Sequence, residues 1–215
     1  MSAETAADPP FSDPVQQREA VRIGMWAFLA TEVMFFGALF LTYFYDRHLF
    51  AEGWVAASKH TDLLLGSLNT ALLLVSSLTM ALSVEAAKAR RPDAATKTLL
   101  MTMGLGAVFL VLKGVEYAEH IRDGLLPGST FHFEEPASLA RPVELFYYLY
   151  FTMTGLHALH MLGGIVWLSV LVIASRRGSA RGFDTHVEVA GLYWHFIDVV
   201  WIFLFPMFYL ARGAK

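Results

Sequence analysis

The chain carries five stretches, about 20–46, 63–87, 97–120, 143–175 and 187–211, each apolar over at least the roughly 20 residues a helix needs to cross a hydrocarbon layer. That pattern leaves few folds open. No water reaches peptide N–H and C=O groups inside lipid, so a spanning segment satisfies its backbone within itself as a helix, or with neighbours in a closed barrel. Barrel strands alternate over about 9–11 residues and do not form continuous apolar runs of this length. The expected fold is all-α: a polytopic membrane domain of five transmembrane helices, 18–215, behind a loosely ordered tail, 1–17.

Composition narrows the function. With 56% hydrophobic residues, a net charge of −3 and no basic cluster set among surface aromatics, the chain has no footprint for a nucleic-acid partner. The absence of cysteine excludes disulfides and thiolate metal sites and leaves His, Asp and Glu as the strong ligand candidates. The first eighteen residues lack the basic start and apolar stretch of a cleavable signal, so the first span is expected to act as its own membrane signal. The segment 121–142 holds Pro127, Gly128, Pro136 and Pro142 and is expected to be irregular. The fourth span exceeds the hydrocarbon thickness, so tilting or projection at its 143 end follows.

Lys88, Arg90 and Arg91, and Arg176, Arg177 and Arg181, form compact basic groups, joined on one side by Arg18, Arg22 and Lys97. The other side has the more scattered Arg47, Lys59, Arg122, Arg141, Arg212 and Lys215. The positive-inside bias predicts a cytoplasmic N-terminus and a periplasmic C-terminus. No internal repeat and no inverted pair of broken helices is present, which disfavours a secondary transporter. Small residues are expected to mark helix contacts in lipid, and Gly104 and Gly106, Gly163 and Gly164, and Ser76 and Ser77 are the candidates.

Polar side chains within these spans are costly to expose to lipid, so each needs protein to face. Glu32 sits near mid-bilayer among apolar neighbours, and it reads equally as a proton-handling or lipid-site acid and as a neutral carboxyl bonded to another helix. Lys113 and Glu116 are three apart and Glu116 and His120 four apart, spacings that put them on one helix face, at a depth comparable to Asn69. An interhelical polar network is favoured there over a metal site, because the lysine would repel a cation. His157 and His160 share a face, as do His195 and Asp198. With Glu32 and Glu116 these would supply ligands for a di-metal centre, yet the Glu-x-x-His pattern of di-iron bundles occurs nowhere in the chain. Arg176 and Arg177 at a helix end are either positive-inside anchors or candidates for gripping a lipid headgroup.

The closing helix, from Glu188 through Tyr193-Trp194-His195-Phe196-Ile197-Asp198 to Phe205, resembles that of subunit III of the haem–copper oxidases, the cytochrome c oxidase subunit 3 family. Four further motifs agree in order: Thr31-Glu32-Val33-Met34-Phe35-Phe36, Leu68-Asn69-Thr70, Gly114-Val115-Glu116-Tyr117 and Gly155-Leu156-His157-Ala158-Leu159-His160. The match spans about 18–212. The resemblance implies a non-catalytic core subunit that binds no cofactor itself, haem and copper residing in its partners, and that packs on subunit I in a complex with subunit II. It implies support of proton uptake, protection of the oxidase during turnover and bound phospholipid. It also makes Glu32 the family's carbodiimide-reactive acid.

In this reading Asn69, Lys113, Glu116, His157, His160, His195 and Asp198 tie helices together, no residue is catalytic or binds metal, and Arg176 and Arg177 hold lipid phosphate. Longer family members have two further helices ahead of these five, framing a lipid cleft, which another polypeptide such as a fused subunit I would have to supply. The five-helix form implies a bacterial inner membrane. Subunit III of a quinol oxidase or a nitric oxide reductase-associated homologue fits the same motifs. The competing class is a stand-alone membrane di-metal enzyme built on His157, His160, His195, Asp198 and Glu116.

Overall fold

A computed structural model describes residues 14–129, 131–133, 137–177 and 182–211, and among these every regular element is a helix. The order is α1 (Pro14–Leu49), α2 (Ala51–Ser58), α3 (Leu63–Lys88), α4 (Pro92–Arg122), α5 (Ala137–Arg176) and α6 (Phe183–Tyr209). Five of them are long and apolar enough to cross a membrane, α2 being the exception. Local chemistry sets several of the ends. Asp62 caps α3 by accepting hydrogen bonds from the N–H of Leu64 at 2.8 Å and of Leu65 at 3.2 Å. Pro92 opens α4, where its missing N–H costs nothing.

The short α2 has no counterpart among the apolar runs. It is held by Trp54, which is fully buried, and by Gly53, whose hydrogen faces the ring of Pro142 so closely that a Cβ would overlap it. This contact accompanies a longer fifth helix than the apolar run at 143–175 marks out: α5 starts at Ala137 and runs through Pro142, at about 1.5 Å per residue, to Arg176.

The helices are not equivalent. Within its most apolar window α6 is 56% buried against 17% for α1, so α6 is the centre of the bundle and α1 its outer member. Antiparallel to α6 lies α3, with Gly66 under the ring of Tyr209, Thr70 accepting from Trp201 Nε1 at 3.1 Å and Ser76 from Trp194 Nε1 at 3.2 Å. On another side α4 runs parallel to α6, pairing Gly106 with Trp194 and Phe109 with Trp201. The fifth helix sets Gly164 against Trp194 and His157 against Trp201. Tyr43 of α1 donates its hydroxyl to the carbonyl of Met207.

Hydroxyl pairs add directed links where apolar surfaces gain little from one another in lipid. Thr79 and Thr102 meet at 2.8 Å and Ser83 and Thr98 at 2.8 Å between α3 and α4, and Thr96 and Ser175 at 2.9 Å between α4 and α5. Of the small residues expected at contacts, Gly106, Gly163, Gly164, Ser76 and Ser77 each face a side chain of α6. Gly104 does not, having no neighbour within 4 Å of where its Cβ would lie. Two residues along a helix is a turn of about 200°, so Gly104 and Gly106 point to opposite sides.

Candidate functional site

Two polar centres form inside the bundle, at different depths. The first is built on α4, one turn of which carries Lys113 and Glu116 on the same face. Lys113 Nζ donates to Glu116 Oε2 at 3.1 Å, to Tyr150 Oη of α5 at 2.7 Å and to Tyr209 Oη of α6 at 2.6 Å. An ammonium has three hydrogens, and all three are placed. Each phenol in turn donates to Glu116 Oε1, Tyr150 at 2.8 Å and Tyr209 at 2.6 Å. The loop is closed: a buried cation and a buried carboxylate compensate each other, and the two hydroxyls bridge them. Lys113 is 3% and Glu116 1% exposed, so no bulk water shares in this balance. The Tyr150 ring lies 4.4 Å from Nζ, and His120 stands 3.8 Å from Glu116. This arrangement joins side chains of α4, α5 and α6.

The second centre joins α1 to α5. Glu32 Oε2 lies 3.1 Å from His160 Nε2, both side chains being about one-fifth exposed on the flank of the bundle. His160 Nδ1 is 2.8 Å from the carbonyl of Leu156. A carbonyl only accepts, so Nδ1 carries a hydrogen, and Nε2 is left to face a carboxyl oxygen. Two acceptors cannot bond without a hydrogen between them. The Glu32–His160 contact therefore links α1 to α5 through a single hydrogen bond. Phe36 packs on the imidazole at 5.4 Å, and Tyr193 donates to the His160 carbonyl at 3.0 Å, fixing the turn that carries it.

The remaining candidates separate from these centres. His195 Nδ1 meets Ser77 of α3 at 2.7 Å. His157 is fully enclosed by Phe109 and Trp201, ring centres 5.4 and 5.1 Å away, and neither of its nitrogens has a hydrogen-bond partner among the described residues. Asn69 and Asp198 are equally buried; among the described residues the amide of Asn69 has no hydrogen-bond partner, and the Asp198 carboxyl has the Ser77 hydroxyl as its polar neighbour. Asn69 is thus not bonded to Lys113, whose donors are already committed. Arg176 and Arg177 are exposed at the end of α5.

The ligand set of a di-metal centre is not assembled: no group of three or more His, Asp or Glu side chains among the described residues is gathered to hold a metal ion. Sequence reasoning did not single out Tyr150 or Tyr209, and it marked Ser77 only as a small residue at a helix contact. Their signal is a hydroxyl on a helix facing an ionisable group, which spacing within one helix does not reveal.

His157 offers a direct test of which histidine matters. With both nitrogens buried and unpaired, His157→Phe removes an uncompensated polar group while keeping a ring between Phe109 and Trp201. Its unfolding temperature is expected to stay level or rise, by the equivalent of about 1–3 kcal/mol. A marked fall in a detergent melt would show that His157 bonds a water or another polypeptide.

Comparison with known proteins places this arrangement. Residues 11–212 match the family model of cytochrome c oxidase subunit III. A cytochrome c oxidase subunit 3 from Alkalihalophilus pseudofirmus is 34% identical over 87% of this chain and 85% of its own length. A quinol oxidase subunit 3 from Bacillus subtilis is 29% identical over 87% of this chain and 85% of its own. A haem-copper oxidase subunit I+III from Aeropyrum pernix is 28% identical over 90% of this chain, which spans 23% of that longer protein. With its membrane-spanning helices and the matched region running through all of them, the chain belongs to the cytochrome c oxidase subunit III family.

Proposed function

We propose that the chain is a non-catalytic core subunit III of a proton-pumping haem–copper terminal oxidase in a bacterial inner membrane, with its N-terminus cytoplasmic, packed on subunit I. The observation that carries this reading is the family match along residues 11–212, joined to a polar interior in which Lys113, Glu116, Tyr150 and Tyr209 are spent on one another. The fused subunit I+III relative supports direct contact with subunit I. Haem and copper belong to the partner chains in this proposal. The relatives named as cytochrome c and quinol oxidase subunits leave both electron donors compatible. Affinity purification through a tag on this chain is expected to bring down a haem- and copper-bearing larger subunit, in near-equal amount. Iron or copper bound to this polypeptide itself would overturn the reading.

Glu32 is the functional acid in this proposal, because it is a carboxyl paired with His160 on the apolar flank of the bundle, partly open to its surroundings. A membrane-soluble carbodiimide adds to a carboxyl, and Glu32→Gln is expected to abolish labelling of this subunit while leaving its assembly intact. Labelling that persists in the variant would place the reactive acid elsewhere. The role is indirect: sustaining proton uptake by subunit I and protecting it during turnover. Arg176 and Arg177, exposed at the end of α5, are the proposed holders of phospholipid headgroups.

A further inference from the structure

A recess of about 440 Å³ opens where α3 ends and α4 and α6 begin, and it is lined by Arg18 of α1, by Lys88 and Arg90, and by Gly182 and Asp184 of the α6 start. Its place at the ends of spans puts it at the level where hydrocarbon gives way to headgroups. Arg18, Lys88 and Arg90 line this corner with Asp184; Arg22 and Glu188 lie beside Lys88, and Asp93 stands in the first turn of α4 next to the lining Pro92. Glu188 is shared, taking Arg22 at 2.6 Å and Lys88 at 3.2 Å. Arg18 and Arg90 form no ion pair among the described residues. Asp184 sits in the first turn of α6, where the helix dipole already offsets a negative charge.

Arg90 is the informative residue. The end of α3 is a Schellman turn: Arg91 N–H donates to Ala86 C=O at 2.9 Å and Arg90 N–H to Ala87 C=O at 3.0 Å. The residue at the position of Arg90 takes a left-handed conformation, here with φ of 56°, and glycine is the usual occupant because it has no Cβ to clash. Among the described residues Arg90 alone has a positive φ without being glycine. The turn's two hydrogen bonds call for the left-handed backbone but not for an arginine, whose guanidinium pairs with no acid among the described residues. Arg90 lines the recess beside Lys88 and Arg18.

We infer that this recess binds a phosphate group, with Arg18, Lys88 and Arg90 as its cationic wall. Two sources carry that chemistry, the headgroup of an anionic phospholipid and free inorganic phosphate. The residues are distinct from Arg176 and Arg177, and the inference does not rest on the oxidase reading, so either can fail alone.

Native mass spectrometry of the full chain with phosphatidylglycerol, phosphatidylcholine or inorganic phosphate tests it. Arg90→Gly is a favourable probe, because it relieves the left-handed strain and is expected to keep or raise the unfolding temperature. Retention of phosphatidylglycerol is expected to fall about fivefold in Arg90→Gly and again in Arg18→Gln, phosphatidylcholine being indifferent to both. If inorganic phosphate binds with that dependence on Arg90 and phosphatidylglycerol does not, the site stands and its ligand is the free anion. Retention of both probes unchanged in both variants, with the fold intact, overturns the site.

Discussion

Replacing Lys113 by methionine is expected to destabilise the bundle by about 3–5 kcal/mol, the cost of leaving a buried partner charge uncompensated. Methionine matches the lysine stem in volume, so packing is nearly conserved and the loss falls on Glu116. Its carboxylate would keep the Tyr150 and Tyr209 hydroxyls and lose the one lysine or arginine paired with it among the described residues. The phenols would lose the hydrogens they accept. A thermal melt in detergent, and the amount of chain recovered from membranes, should both fall steeply.

The double variant Lys113→Met with Glu116→Gln is expected to recover much of that loss, because it removes the charge together with its partner. Tyr150→Phe and Tyr209→Phe each break two hydrogen bonds of the loop and are expected to cost less, about 1–3 kcal/mol apiece. A Lys113→Met chain as stable as wild type, or a double variant worse than the sum of the singles, would show that the closed loop does not hold the three helices.

The second large effect concerns Trp194. Its ring is fully buried, flanked by Gly106 of α4 at 2.9 Å and Gly164 of α5 at 3.0 Å, measured from where a Cβ would lie, and its Nε1 donates to Ser76 of α3. One side chain therefore touches three helices. Trp194→Ala is expected to cost about 3–5 kcal/mol through the cavity left between rigid helix backbones. The converse change, Gly106→Leu, drives a side chain into the ring and is expected to cost about 1–3 kcal/mol.

Combined, Gly106→Leu and Trp194→Ala partly fill the cavity, so the pair should be milder than the sum of its members. Gly104→Leu is the control: among the described residues no neighbouring atom lies within 4 Å of its Cβ position, and it should leave the unfolding temperature near that of wild type. Equal damage from Gly104→Leu and Gly106→Leu would mean that helix propensity or an outside contact, and not the Trp194 seat, sets the cost.

The spanning helices were legible because a length of apolar residues is a direct reading of hydrocarbon thickness. Their order in space was not. Nothing in the run 187–211 marks α6 as central except its density of Trp, Tyr and small residues, which also suits a lipid-facing helix. The eight residues of α2 are too few to show a period, and Trp54 within them resembles an interfacial anchor until its full burial is seen.

Among polar groups, Lys113 and Glu116 were readable as a pair from their spacing of three, a contact made within one helix. Contacts made between helices were not. His157 and His160 share a face, yet the 60° between them decides that His160 meets Glu32 of α1 while His157 turns in to Phe109 and Trp201. Asn69 had the right depth to meet Lys113, but depth does not say which way a helix is rotated. Tyr150 and Tyr209 were hidden as aromatic residues in an aromatic-rich chain.

The central position of α6 has a consequence for biosynthesis. Chains emerge N-terminus first, so α1, α3, α4 and α5 enter the bilayer before the helix that fills the space among them. Until Phe183 and the residues after it leave the ribosome, the seats beside Gly66, Gly106 and Gly164 stand open and Lys113 with Glu116 lacks the hydroxyl of Tyr209. A nascent chain is thus held through most of its synthesis as a half-built ring with a charged pair on its inner wall, and closure comes in a single late step. During that interval the insertion machinery, or an oxidase subunit already in place, has a polar inner surface to shield from lipid.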